Sequence, residues 1–400
     1  MLTGAVCFSQ AKKPAVLKAS SFKHYVDYFN KMEDENIRQA IPNDSAWLWM
    51  QQNIPLFECP QQNFEEIFYY RWWTLRKHIK RTEKGYVLTE FLVQRNYADK
   101  YNLISSALGH HIYEARWLHD QRYLDDNIHV WYRGNNGKAM SKLRAYSSWN
   151  IDALYNRYLV NQDKSFITDL LPDLEADYTA WEKDKRLPSG LYWQYDVRDA
   201  MEETISGGRR EKNARPSINS YMYGNAKGLA AIAKLAGKTD EADLYTSKAD
   251  TIRQLVESKL WNSSHNFFEV LKEADTSANV REAIGYMPWY FNLPDERFNA
   301  AWKFSVDEKA FYAPFGLTTA DRSHPQFRTH GCCNCEWDGA VWPFATAQTL
   351  TGMANLLNNY KQDIVADSNY FDLLETYVES QYYRGRPYVC LLYTSPSPRD

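Results

Sequence analysis

The chain has no apolar run approaching the ~20 residues that a membrane-spanning helix needs. Its mean hydropathy is −0.61, the value of a polar-surfaced globular chain. It also lacks an excess of either charge: 47 Lys and Arg stand against 50 Asp and Glu, a net charge of −3. That balance argues against a nucleic-acid binder, which carries a basic excess or stripe. Six cysteines in 400 residues are too few for a disulfide scaffold. Several short motifs are missing too. Gly207-Gly208-Arg209 lacks the strand-then-helix context of a dinucleotide loop, and there is no Walker pattern, no His-Glu-x-x-His and no Gly-x-Ser-x-Gly elbow.

What is abundant is aromatic. Fourteen Trp, 29 Tyr and 18 Phe make up 15% of the chain. Trp and Tyr join a flat apolar face to a polar handle, which matches the apolar C–H face and polar rim of a sugar. A large aromatic core accounts for the same composition.

Length alone implies two or three domains, although toroids and barrels exceed that allowance. Helical spacing dominates. It predicts helices near 22–33, 64–80, 102–118, 121–132, 142–160, 164–182, 217–236, 239–260, 339–358 and 368–381, with a short strand at 85–92. Gly237 reads as a helix C-cap and Thr239 as the next N-cap. Long loops at 133–141, 187–216, 261–297 and 312–338 are rich in Trp, Asp, Arg, Gly and Pro. Helices as scaffold with chemically rich loops fit a toroid with a cleft at one end.

The two ends read differently. Residues 2–11 are short, apolar and end in small residues, like the back of a secretory leader with Ala11 as the cleavage point. A frayed N-terminus accounts for the same residues: a leader implies an extracytoplasmic protein from which Cys7 would leave, and without one the protein is cytoplasmic. Residues 390–400, CLLYTSPSPRD, have no helical or strand logic and read as a non-native tail. The expected organisation is therefore 1–19 leader and linker, 20–389 one domain, 390–400 tail.

Chemistry-bearing residues fall in clusters. In 192–211, Asp196, Asp199, Glu202 and Glu203 crowd around Arg198 beside Tyr192 and Trp193. Converging carboxylates in a partly dry cleft raise at least one pKa, which suits a group that protonates a glycosidic oxygen. In 330–348, Trp337, Gly339 and Trp342 precede a helix, and Gly339 allows close backbone approach. Cys332, Cys333 and Cys335 with His324 and His330 form one ligand cluster, where structural zinc takes two paired sets; no metal is assigned. A third cluster holds Arg71, Trp72, Trp73, Arg76, Lys77 and His78, then Glu90, then His110, His111, Glu114 and Arg116. A weaker fourth holds Tyr146, Trp149 and Asp152.

The strings RWWTLRKHI (71–79), GHHIYEARWL (109–118), YLDD (123–126), RDAME (198–202), RPSINSYMYG (215–224), GYMPWYFNLP (285–294), APFGLTTA (313–320) and WDGAVWPFATAQTL (337–350) occur in the order they take in a known family. The chain resembles mannosylglycerate-hydrolase-like glycoside hydrolases, six-hairpin enzymes related to glycoside hydrolase families 63 and 37. The resemblance implies an all-α (alpha/alpha)6 barrel, closed short of completion at its C-terminus. It implies inverting hydrolysis of an alpha-linked gluco- or manno-configured sugar by two carboxylates, with a carbohydrate partner and no cofactor. The family's acid is an Asp in a Gly-aromatic/Met-Asp-x-Ser pattern. Ala200-Met201-Glu202 falls on it, with Ala for Gly and Glu for Asp, so Glu202 takes the acid role and Asp199 is its rival. The base is a Glu expected beyond Val389. Arg71, Trp73, Arg76, His110, His111, Trp149, Asp196, Trp337 and Trp342 are the expected substrate contacts. The alternative is a non-catalytic carbohydrate-binding protein on the same toroid.

Overall fold

The computed structural model describes residues 17–32, 34–330 and 335–388. Among these are thirteen α-helices. In chain order they are α1 (Lys23–Met32), α2 (Ala46–Asn53), α3 (Gln62–Lys77), α4 (Leu108–Ala115), α5 (Arg122–Arg133), α6 (Asn150–Asn161) and α7 (Lys164–Asp169), followed by α8 (Leu171–Lys185), α9 (Pro216–Leu235), α10 (Thr239–Lys259), α11 (Met287–Tyr290), α12 (Pro343–Asn359) and α13 (Asp367–Glu379). The strands form five separate two-stranded antiparallel ribbons in the connections.

Two helices show how sequence sorts inner from outer positions. α10 buries Ala242, Tyr245, Ala249, Ile252 and Val256, one stripe at three- and four-residue spacing, as a helix does with one face on a core. α9 buries fifteen of its twenty residues, so it is covered all round. Its buried polar side chains are paired. Asn219 accepts from the Tyr192 N–H at 2.8 Å and donates to the Tyr192 and Arg215 carbonyls. Asn225 accepts from the Ile151 N–H at the start of α6 and donates to the Ser148 carbonyl. Packing then runs in an arc through α4, α6, α9, α11, α12, α13 and back to α3, with α8 and α10 against α9.

Helix ends depart from the sequence expectation for identifiable reasons. The helix expected from 142 starts at Asn150, because residues 141–149 are drawn into turns and the Ser147 N–H donates to the Arg198 carbonyl instead. The one expected from 339 starts at Pro343: a residue before proline is pushed out of the helical region, and Trp342 is extended at φ −117°. The 164–182 segment is two helices, α7 and α8. Thr239 is the first residue of α10 rather than its cap; Lys238 holds that position without a side-chain bond. Gly237 follows α9 at φ +77°. Two helices were not expected, α2 and the four-residue α11. No helix among the described residues is long and apolar enough to cross a membrane.

Candidate active site

The acidic segment is a loop clamped at its base. A two-residue ladder pairs Trp193 with Ala214 and Gln194 with Asn213, and residues 195–212 project from it. Asp199 faces back into the protein, where its Oδ2 accepts from Arg215 Nε at 2.9 Å and from the Ser217 hydroxyl. Both side chains of that ion pair are wholly buried. Glu282 braces the far side of the loop: its carboxylate accepts from the Ile205 N–H at 2.9 Å, the Ser206 N–H at 3.1 Å and the Ser206 hydroxyl. Between the two anchors the chain reverses sharply, with Ala200 at φ +60° and Glu203 at φ +58°. Positive φ is the region an L-residue avoids and glycine tolerates, which accounts for the glycine of the family pattern at position 200.

This turn presents Glu202. Its carbonyl accepts from the Trp337 N–H at 3.0 Å, and its Oε2 is buried with no hydrogen-bond partner. Burial is the main cause that raises its pKa above the ordinary range; Asp196 and Glu203 add to it, and Arg209 opposes. Arg209 is itself tied to Glu203, Nε to Oε1 at 3.0 Å. Asp196 is buried, its Oδ1 accepts from the Val197 N–H, and burial raises its pKa too.

An aromatic wall adjoins the loop. Trp337 and Trp342 stack with centroids 5.6 Å apart and planes 7° from parallel, and Phe344 meets Trp337 edge-on. Gly339 lies between the two tryptophans in sequence, and a Cβ there would lie 2.4 Å from the Phe327 ring. His110 bridges Phe344 and Trp149 at 4.7 and 4.8 Å. Trp149 is fully buried against Gly109, where a Cβ would come within 2.5 Å of the indole. His110 Nε2, His111 Nε2 and Trp337 Nε1 make no hydrogen bond. Burial holds both imidazoles neutral, His110 down to about 3 and His111 down to about 4. They are neutral donor–acceptor groups across the physiological range.

Of the expected residues, Glu202, His110, Trp149, Trp337 and Trp342 share this connected group, and Asp196 and Asp199 stand in the loop that carries it. Arg71 is bound to Glu114 and Tyr377 and is close enough to His110 to lower its pKa. Trp73 and Arg76 go elsewhere, which corrects the expectation that they face substrate. Trp73 is in the α1–α3 core, its indole N–H donating to Asn30 at 2.8 Å and its ring stacked on Tyr70. Arg76 is buried beside it, donating to the Ile41 carbonyl and to Asn43 Oδ1 at 2.7 Å. Both side chains are sealed in that layer, Arg76 Nε alone making no hydrogen bond. The described residues hold no cluster suited to a metal ion; Cys332 and Cys333 lie outside them, and His330 pairs with Asp338 at 3.1 Å.

Two buried carboxylates gained no role from the sequence. Glu282 gave no signal, since its loop has no pattern around it. Glu90 had one: a carboxylate inside the apolar stretch GYVLTEFL, where burial demands a partner or a purpose. It is 2% exposed, and neither oxygen makes a hydrogen bond.

The helical toroid and its carboxylate-and-indole cleft define a glycosidase class, and comparison with known proteins agrees. Residues 100–394 match the family described as Mannosylglycerate hydrolase MGH1-like glycoside hydrolase domain, and the chain belongs to that family. A solved structure titled "Sialidase" is 62% identical with a TM-score of 0.92, over 93% of this chain and 34% of that one. The chain thus spans about a third of that protein's length. The GH63 mannosylglycerate hydrolase from Thermus thermophilus in complex with glucose gives 13% identity and a TM-score of 0.56, over 78% and 92% of the two chains. A GH78 family rhamnosidase from a Bacillus species gives 12% and 0.56, over 86% and 34%. At those identities the last two show the shared (alpha/alpha)6 fold alone.

Proposed function

We propose that this domain hydrolyses an alpha-linked, gluco- or manno-configured glycoside with inversion, and that Glu202 is its general acid. One observation carries the reading. Glu202 is a carboxyl whose pKa burial raises, with a free oxygen, set against an indole wall. A carboxyl still protonated near neutrality gives its proton to the glycosidic oxygen as the C1–O bond breaks. Water then bonds to C1 from the opposite face and loses a proton to a second carboxylate, about 6.5–9.5 Å from the first in an inverting site. The indoles supply flat apolar faces, and His110 offers hydroxyls a neutral partner. The sialidase title belongs to a protein three times longer.

The test is turnover of p-nitrophenyl alpha-glucoside and alpha-mannoside by a chain that includes the base expected beyond Val389, with the anomer of the first product read by NMR. Glu202→Gln is expected to lower kcat by at least ~10³-fold with melting unchanged. In the wild type, kcat/KM falls as pH rises through the raised pKa of Glu202, because the required proton is lost there. Full activity in Glu202→Gln would move the acid elsewhere, and sugar binding without turnover would leave a binding protein.

A further inference from the structure

We propose that Glu90 contacts the substrate directly, hydrogen-bonding hydroxyls of the sugar ring held beside Glu202. The proposal rests on the glycosidase reading above and names a contact within it.

The backbone at Glu90 is held from both sides. The Thr89 N–H donates to the His78 carbonyl at 3.0 Å, and His78 Nδ1 lies 2.8 Å from the Thr89 carbonyl. One residue earlier, the Leu88 N–H donates to Asn127 Oδ1 at 3.0 Å, and the Tyr86 N–H to Asp126 Oδ2 at 3.0 Å. The hairpin of 79–82 with 85–88 therefore delivers Glu90 rigidly to the interior from the shoulder of α5. Its carboxyl then meets no partner: both oxygens are buried and unbonded.

A buried carboxyl without partners costs stability, and glutamine or leucine would fill the space with a smaller penalty. Other buried carboxylates in this protein are engaged. Glu269 lines a separate groove with Trp261, Asn262 and Asn279, where His265 Nδ1 lies 2.6 Å away and Asn262 and Ser277 also bond it. Glu282 is engaged by the acid loop, as described. Both Glu90 oxygens are left open, and Glu202 acts electrostatically on Glu90, with Tyr97 and Tyr146 coupled to both.

Sugar hydroxyls suit these unbonded oxygens because each hydroxyl both donates and accepts. Burial first, and the charge of Glu202 second, push the Glu90 carboxyl well above its usual range, while Arg95 opposes. Charged or protonated, the group can bond a hydroxyl.

The experiment compares the full chain with Glu90→Gln, Glu90→Ala and Glu90→Leu. It measures kcat and KM on whichever aryl alpha-glucoside or alpha-mannoside the wild type cleaves, and thermal melting. A parallel arm measures glucose and mannose affinity by calorimetry in a Glu202→Gln background. A direct contact predicts a loss of about 100-fold in kcat/KM for Glu90→Ala, with weakened sugar binding. The melting temperature of Glu90→Gln and Glu90→Leu should hold or rise, because an unpaired buried acid has been removed. Wild-type kinetics in Glu90→Ala overturn the contact. So does a fall in melting temperature in Glu90→Gln and Glu90→Leu, which marks a structural acid. If the wild type cleaves no glycoside and binds neither sugar, the glycosidase reading itself fails and this contact with it. An active wild type with unaffected Glu90 variants sinks only the contact.

Discussion

Two regions of this protein use the same residue types to opposite ends. In the α1–α3 layer, Trp73 and Arg76 are as buried and as aromatic-and-basic as anything near Glu202. Their outer polar atoms are spoken for: the Trp73 indole by Asn30, the Arg76 terminal nitrogens by Ile41 and Asn43. Around Glu202 the rings pack as closely, yet Glu90, His110 Nε2, Trp337 Nε1 and Glu202 Oε2 have no partner. Partnerless buried atoms occur in the core as well, Arg76 Nε, Trp131 Nε1 and Trp302 Nε1 among them. What sets the group around Glu202 apart is that carboxyl, imidazole and indole lie together, and that is where a polar ligand belongs.

The sharpest way to break that comparison is at Asp199, the rival acid. Its Oδ2 is paired with Arg215 and Ser217 in a wholly buried ion pair while its Oδ1 has no partner, although it stands three residues from Glu202. Asp199→Ala leaves the Arg215 guanidinium buried and without its carboxylate. A loss of about 3–5 kcal/mol is expected, measured by denaturant unfolding, and it is relieved in part by adding Arg215→Met. A stable but inactive Asp199→Asn, with the high-pH limb of kcat/KM removed, would instead make Asp199 the acid.

A smaller effect separates the two tryptophans. Trp73→Phe removes a buried ring edge and the bond to Asn30, and about 1–3 kcal/mol of stability should go with them, while KM stays put. Trp337→Phe keeps an aromatic face and has no side-chain hydrogen bond to lose. It should melt nearer the wild type and raise KM by about three- to tenfold, the scale of one stacking contact. If Trp73→Phe moves KM and Trp337→Phe does not, the assignment of core and cleft is reversed.

Much of the scaffold was legible because periodicity is local. The stripe of α10 and the thick aromatic face of α3 both follow from spacing. The Trp337–Trp342 block was legible as a loop-to-helix junction. The roles of Trp73 and Arg76 were not, since they depend on Asn30, Ile41 and Asn43, which lie 33 to 43 positions away. Glu282 depends on a loop 76 positions earlier. Glu90 reads as one polar residue in an apolar strand until its lack of any partner is seen. Partners distant in sequence fix function here, and spacing carries no trace of them.

The smallest expected effect tests the turn itself. Ala200 holds φ +60°, which costs an L-residue roughly 1–2 kcal/mol that glycine escapes. Glycine in turn makes the unfolded chain more flexible, returning about 0.4–1 kcal/mol of that gain. Ala200→Gly should therefore stabilise by roughly 0 to 1.6 kcal/mol, seen as a rise of a few degrees or less in Tm. Its effect on kcat should stay within about twofold, because Asp199 and Glu282 anchor the loop on either side and the Trp337 N–H fixes the Glu202 carbonyl. A fall in stability would mean that the Ala200 methyl, in its buried position, packs well enough to outweigh its backbone strain. A large fall in kcat with Tm intact would mean that the anchors do not suffice, and that stiffness at position 200 itself aims the acid.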